Sequence, residues 1–210
     1  MLTSSKNFKI IFSIFAFVLA FGFTINTFAA DNTNLSITIQ SGALSVDIVD
    51  NNGSSVAVPG VTMGTVTASF SSQTSTGTLG VTSQKIRLSN ATSTAIWGVS
   101  IAATSGSSAL WTSTGGTTMD YNSDTNGTGT LTINPATGTI VAVNHGNTTG
   151  VSLGSNTAFS SGATSITLYS AAGGAATFEQ YDLKGVALSQ EVPLGQQSAN
   201  YTLNLTLTAV

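Results

Sequence analysis

Ile96-Trp97-Gly98-Val99-Ser100-Ile101-Ala102-Ala103 alternates large and small side chains. Successive residues of a strand point to opposite faces, so Trp97, Val99, Ile101 and Ala103 line one side. Ile96, Gly98, Ser100 and Ala102, mostly small, line the other. Burying Trp97, Val99 and Ile101 contributes about 1.5–3 kcal/mol each, which assigns this face to a core. Upstream, residues 88–95 supply a polar turn and residues 84–88 a second short strand. Residues 84–103 therefore read as a hairpin at the centre of an all-β domain.

Working outward, the same period of two recurs on both sides. Leu35, Ile37 and Ile39 alternate with Ser36 and Thr38, and Leu44, Val46 and Ile48 repeat the pattern up to the turn Asp50-Asn51-Asn52-Gly53. Residues 63–70 place Val66, Ala68 and Phe70 on one face as a buried strand, followed by a hydroxyl-rich loop over residues 71–77. Downstream, residues 104–129 form a long polar stretch whose large side chains are Trp111 and Tyr121. Strands resume at Leu131 and Ile133, at residues 140–143, and at Ile166 and Leu168. Tyr181 with Leu183, Val186 with Leu188, and the closing run Tyr201, Leu203, Leu205 and Leu207 complete them. Asn134-Pro135, residues 144–147 and Gly173-Gly174 are the breaks. No helical period persists over ten residues. Strands this short and this frequent predict a single antiparallel β-sandwich of Greek-key or jelly-roll type.

The N-terminus is read as an address. Lys6 and Lys9 precede an apolar run over residues 10–23, and Thr27-Phe28-Ala29-Ala30 offers small residues for cleavage. Residues 1–30 are expected to be a signal peptide and residues 31–210 the exported domain, with no permanent membrane span in the mature chain. The apolar run is short of the roughly 20 residues that spanning requires. The chain contains no cysteine, so its domain is held by packing alone. Ser and Thr together account for 63 of 210 residues, while charged residues are only 6%. Thr suits a pleated surface and Ser, Asn and Gly suit turns, which fits an extracellular β protein. Beyond residue 30, Lys85, Arg87 and Lys184 face eight acids. Phosphate binding needs clustered Lys and Arg, so nucleic acid is excluded as a partner.

Two stretches carry a family resemblance. Leu79-Gly80-Val81-Thr82, Ser89-Asn90-Ala91 and Ala95-Ile96-Trp97-Gly98-Val99 resemble the first signature of WxL-type bacterial surface domains. Val192-Pro193 followed by Ala199-Asn200-Tyr201 and the alternation through Leu205 and Leu207 is similar to that family's closing segment. The first motif here is Trp97-x-Val99, and Leu207 stands where the family usually carries a second Trp. The resemblance implies a secreted sandwich attached non-covalently to the cell wall, with Trp97, Val99, Tyr201, Leu205 and Leu207 as its motif and core positions.

Three constellations bear on chemistry. Asp120, Asn122, Asp124 and Asn126 are spaced like the start of a calcium loop, but Gly127 falls two places late and Leu131 stands where a bidentate Glu belongs. A turn closed by Asx hydrogen bonds competes with calcium there, and calcium is the one cofactor the sequence raises. Trp111 and Tyr121 are candidate stacking platforms for a sugar, or else caps folded onto one end of the sandwich. His145 is the sole histidine and sits in a turn, no Gly-x-Ser-x-Gly elbow occurs, and clustered metal ligands are missing. Glu179, Asp182 and Glu191 lie in or near strands without a pocket signature. The expectation is a non-catalytic, secreted or cell-surface structural protein acting in envelope attachment or adhesion, its partner a cell-wall polymer or other surface glycan. Two alternatives stand beside it. One is a self-associating fibre or surface-layer subunit that exchanges a strand from residues 31–39. The other is a carbohydrate-binding module.

Overall fold

A computed structural model describes residues 36–40 and 42–210. The signal peptide expected over residues 1–30 lies outside the described residues, as does the first part of the expected domain. Residues up to Ile39 and residues from Gln40 onward are separate units, and the second of them builds the fold.

The strands are β1 (Leu44–Val49), β2 (Gln73–Leu79), β3 (Lys85–Asn90), β4 (Ile96–Ala103), β5 (Trp111–Ser113), β6 (Thr118–Met119) and β7 (Leu131–Asn134). They continue with β8 (Thr139–Ala142), β9 (Val151–Leu153), β10 (Thr157–Ala158), β11 (Ser165–Ala172), β12 (Glu179–Lys184), β13 (Val186–Val192), β14 (Tyr201–Thr202) and β15 (Leu205–Ala209). Two single 3₁₀ turns, Gly106–Ser108 and Pro135–Thr137, are the helical content among the described residues. The sheets are ordered β1-β3-β12-β8, β10-β7-β13-β2, β15-β4-β11-β9 and β14-β5-β6. Neighbours in the sheets pair antiparallel.

The first two sheets share their chains. β2 runs on to β3, β13 follows β12, and β7 passes through Pro135–Thr137 into β8, so three neighbouring strands cross between sheets side by side. Gly80 and Gly185, with φ of 77° and 79°, make the crossing possible, because L side chains rarely adopt that region. The Gly185 N–H donates to the Gly80 carbonyl at 3.0 Å. The Thr137 hydroxyl donates to the Gly185 carbonyl at 3.0 Å and accepts the Ala187 N–H at 2.9 Å. β4 leads into β5 and β14 into β15 in the same manner.

Trp97 joins the layers. It is 3% exposed, edge-on to Tyr169 of β11 at 5.6 Å between ring centroids, and 5.2 Å from the Tyr181 ring of β12. The Tyr169 hydroxyl crosses from one sheet to the Tyr181 carbonyl of the other at 3.3 Å. Facing antiparallel sheets with a shared apolar interior are consistent with a β-sandwich. The face read from the sequence is buried as expected: Val99, Ile101 and Ala103 join Trp97 in the core.

Four sequence readings are corrected. Residues 84–103 are no hairpin, since β3 and β4 lie in different sheets. Asn90, 1% exposed, donates to the Thr94 carbonyl and accepts from the Thr92 N–H and hydroxyl, winding residues 90–95 into an arch between layers. Residues 71–77 are not a loop, because most of them form β2. Residues 63–70 form no strand, and Phe70 is 101% exposed. The alternation of Leu35, Ile37 and Ile39 predicts a first strand; Leu35 lies outside the described residues, residues 36–40 belong to no strand, and Ile37 and Ile39 are exposed.

Candidate functional site

The small sheet β14-β5-β6 presents one face to a cleft. Trp111 pairs with Met119, and Ser113, two residues further along β5, pairs with Tyr201, so all four side chains share that face. Opposite them lie Gln73 and Ser75 of β2 and Gln190 and Val192 of β13, with residues 61–69 along one wall and residues 196–200 along the other. The cleft holds about 530 Å³. None of its lining residues is charged.

Its aromatic side chains are held in place. The Trp111 indole N–H donates to Gln190 Oε1 at 2.7 Å. Gln190, itself 2% exposed, is fixed in turn by donating to the Asp120 carbonyl at 3.1 Å and to the Glu191 carbonyl at 2.7 Å. The Tyr201 hydroxyl donates to the Gln197 carbonyl at 2.8 Å and accepts from Gln196 Nε2 at 2.7 Å and from the Thr117 hydroxyl at 3.1 Å. These bonds remove the rotamer freedom that binding would otherwise have to freeze. The indole face, flanked by thioether, amide and hydroxyl groups, is suited to an uncharged ligand with apolar rings and hydroxyl edges.

Other expected site residues lie elsewhere. Tyr121 is completely buried, its ring 5.1 Å from that of Phe159 and its hydroxyl donating to the Gly106 carbonyl at 3.0 Å. It serves as a cap and offers no face to a sugar. Asp124 accepts the Ser161 N–H at 3.0 Å and the Ser161 hydroxyl at 2.6 Å, bonds that hold its carboxyl below the usual range. The Asn122 amide donates to the Ser107 carbonyl at 3.1 Å. Residues 121–131 close on themselves, the Leu131 N–H donating to the Tyr121 carbonyl and the Thr130 hydroxyl to the Ser123 carbonyl. Asp120, just before this hairpin, and Asn126 within it are exposed. No group of three His, Cys, Asp or Glu is placed to hold a metal among the described residues.

Tyr201 enters the cleft, while Trp97 and Val99 lie in the core. Leu205 and Leu207 sit on β15, directly opposite Ala103 and Ile101 of β4, so the two motif segments are neighbouring strands.

Two acids are held in dense networks of hydrogen bonds and ion pairs. Glu179, 1% exposed, accepts the N–H groups of Asn144, His145 and Gln180 at 2.7–2.8 Å, and His145 Nδ1 lies 3.2 Å away. Burial pushes its carboxyl up, but these hydrogen bonds prevail and hold it below the usual value. Asp182 takes Arg87 bidentately at 2.6 and 2.9 Å and Lys85 at 3.0 Å. Burial opposes its charge too, and the Arg87 and Lys85 partners keep its pKa lowered.

Gln190, Met119 and residues 61–69 had no signal in the sequence as site members, because only the pairing of distant strands brings them beside Trp111. Comparison with family models, with curated proteins and with solved structures finds no match. Among the described residues, no helix is long and apolar enough to cross a membrane.

Proposed function

We propose that this chain is a non-catalytic structural protein, exported to the cell surface, which attaches to an uncharged wall or surface glycan through the Trp111 cleft. The observation that carries the reading is a cleft of about 530 Å³ without a charged lining residue, built around a fixed indole and a fixed phenol. Charged polymers need paired ions in the site, whereas pyranose rings need an apolar platform edged by hydroxyl and amide groups. The resemblance to WxL-type domains and the signal-like N-terminus point to the same setting. In this reading the domain is a Greek-key or jelly-roll-like sandwich with its binding face at the end formed by β5, β6 and β14.

Retention on isolated cell walls and on neutral polysaccharide tests the proposal. The wild-type protein is expected to pellet with them at high and low salt alike, since no ion pair contributes. Trp111→Ala is expected to lower retention about tenfold, in keeping with the stacking term and its conversion to affinity. Its near-ultraviolet spectrum and melting temperature distinguish a lost contact from a lost fold. Wild-type protein found entirely in the supernatant would sink the reading.

A further inference from the structure

Phe70 is wholly exposed, more so than any other large apolar side chain among the described residues. Burial of such a ring is favoured by about tenfold or more, yet the local backbone holds this one out in water. The Ser71 N–H donates to Ser69 Oγ at 3.1 Å, and the two serine hydroxyls lie 3.1 Å apart, which closes a tight turn about Phe70. Gln73 Nε2 donates to the Ser72 carbonyl at 3.2 Å, and Gln73 itself lines the Trp111 cleft. The turn that presents Phe70 is therefore tied to the cleft.

A second apolar side chain stands beside it, at the start of the opposite wall. The Gln196 N–H donates to the Pro193 carbonyl at 3.3 Å, and Gly195 has a φ of 69°, so residues 193–196 form a turn of type II pattern with Leu194 at its first corner. Leu194 is 64% exposed, although such corners ordinarily carry Pro or polar residues. The Gly195 N–H donates to the Ser69 carbonyl at 2.8 Å, which joins this turn to the residue before Phe70. Ser69, Pro193 and Gln196 all line the cleft, so Phe70 and Leu194 flank one hydrogen bond at its border.

We propose that Phe70 and Leu194 form a second platform for the same neutral glycan, so that the protein binds several consecutive sugars of one chain, one stretch at Trp111 and the next across this border. The inference rests on the glycan reading of the cleft. A cleft of about 530 Å³ lies in the range that takes a drug-sized ligand, which is larger than one pyranose ring. Residues 69–73 and 192–197 carry no charge, so the uncharged character of the cleft continues over its border. An apolar ring face can pack on Phe70 and Leu194 as it does on an indole, and the backbone beneath both is already fixed, so little more has to be ordered on binding. Chain length, and not only the identity of one sugar, then sets affinity.

The probe is the neutral polysaccharide that retains the protein, cut into short fragments (single sugars and pairs) and long ones. Calorimetry compares the parent, Trp111→Ala, and a double variant carrying Phe70→Ser and Leu194→Ser. The expected result is affinity that rises with length in the parent and falls about tenfold or more for long fragments in the double variant, with short fragments bound as before. Trp111→Ala should weaken both, and Phe70→Trp, which enlarges the platform, should tighten long fragments alone. The double variant should melt with the parent, because both side chains are exposed. A parent protein that no neutral polysaccharide retains removes the glycan reading and this inference with it. A retained parent whose double variant binds long fragments equally well overturns this inference alone, as do equal losses on short and long fragments. So does a double variant whose one change is lost self-association in light scattering, since Phe70 and Leu194 would then meet a second copy.

Discussion

Trp97 shows how one side chain supports the fold and still leaves a polar group without a partner. Its indole sits between Tyr169 and Tyr181 from opposite sheets, and its N–H is buried with no hydrogen-bond acceptor. A buried donor left unpaired costs about 1–3 kcal/mol, so the packing of the ring has to outweigh that penalty. Trp97→Ala is therefore expected to cost about 3–5 kcal/mol by cavity formation. Trp97→Phe should cost clearly less, since it keeps a ring while removing the orphan N–H. Urea unfolding followed through the fluorescence of Trp111 measures both, and a Phe variant no better than Ala would show that the ring interactions are not what holds the layers. Trp111 is the counterpart: its N–H is satisfied by Gln190, and its ring lines the cleft.

At the scale of elements, apolar residues and strand positions are not always supplied by the same segment. β2 faces inward with Ser75, Gly77 and Leu79, a weak hydrophobic pattern. A side chain on Gly77 would meet Met63 and Val61, so the apolar cover over this strand comes from residues 61–63. The alternation of residues 63–70 thus belongs to a strap against a sheet edge, and Thr supplies the β preference of the strand beneath it. β11 shows a second case, where a register shift between Thr167 and Tyr169 turns both Leu168 and Tyr169 into the core. The inter-sheet crossing yields a ranked prediction. A Cβ on Gly80 would lie 2.9 Å from the Leu183 carbonyl oxygen, whereas on Gly185 the nearest atom is the Thr137 carbonyl at 4.0 Å. Both sit at positive φ, so Gly185→Ala should cost about 1–2 kcal/mol of backbone strain, and Gly80→Ala more because of the added clash. Thermal denaturation of the pair checks the order, and equal costs would mean that the strands move apart freely at the crossing.

For the whole molecule, acid is the condition that loosens the structure. Glu179 and Asp182 both have folded pKa values held below their unfolded ones. A carboxylate of this kind contributes stability that is fully present above its unfolded pKa and is lost as pH falls through the folded value. Ordinary Glu and Asp titrate near pH 4, so the contribution should be constant from about pH 7 to pH 5 and decline below about pH 4. Urea midpoints at these pH values measure it, and Glu179→Gln should flatten part of the decline while loosening residues 144–147.

By itself the sequence determined the all-β class, the buried face of Trp97, Val99, Ile101 and Ala103, and most of the breaks. Each depends on local alternation and on Gly, Asn or Pro at a turn. It also singled out Trp111 and Tyr201, without indicating that they meet. Tertiary structure alone decided that β3 and β4 part into different sheets, that Tyr121 is interior, and that Gln190 fixes Trp111. It decided as well that the calcium-like spacing closes as a hairpin on Ser107 and Ser161. The physical reason is the same throughout: a period of two states which way a side chain points, whereas the partner across the sheet or the layer is chosen by contacts between residues far apart in the chain.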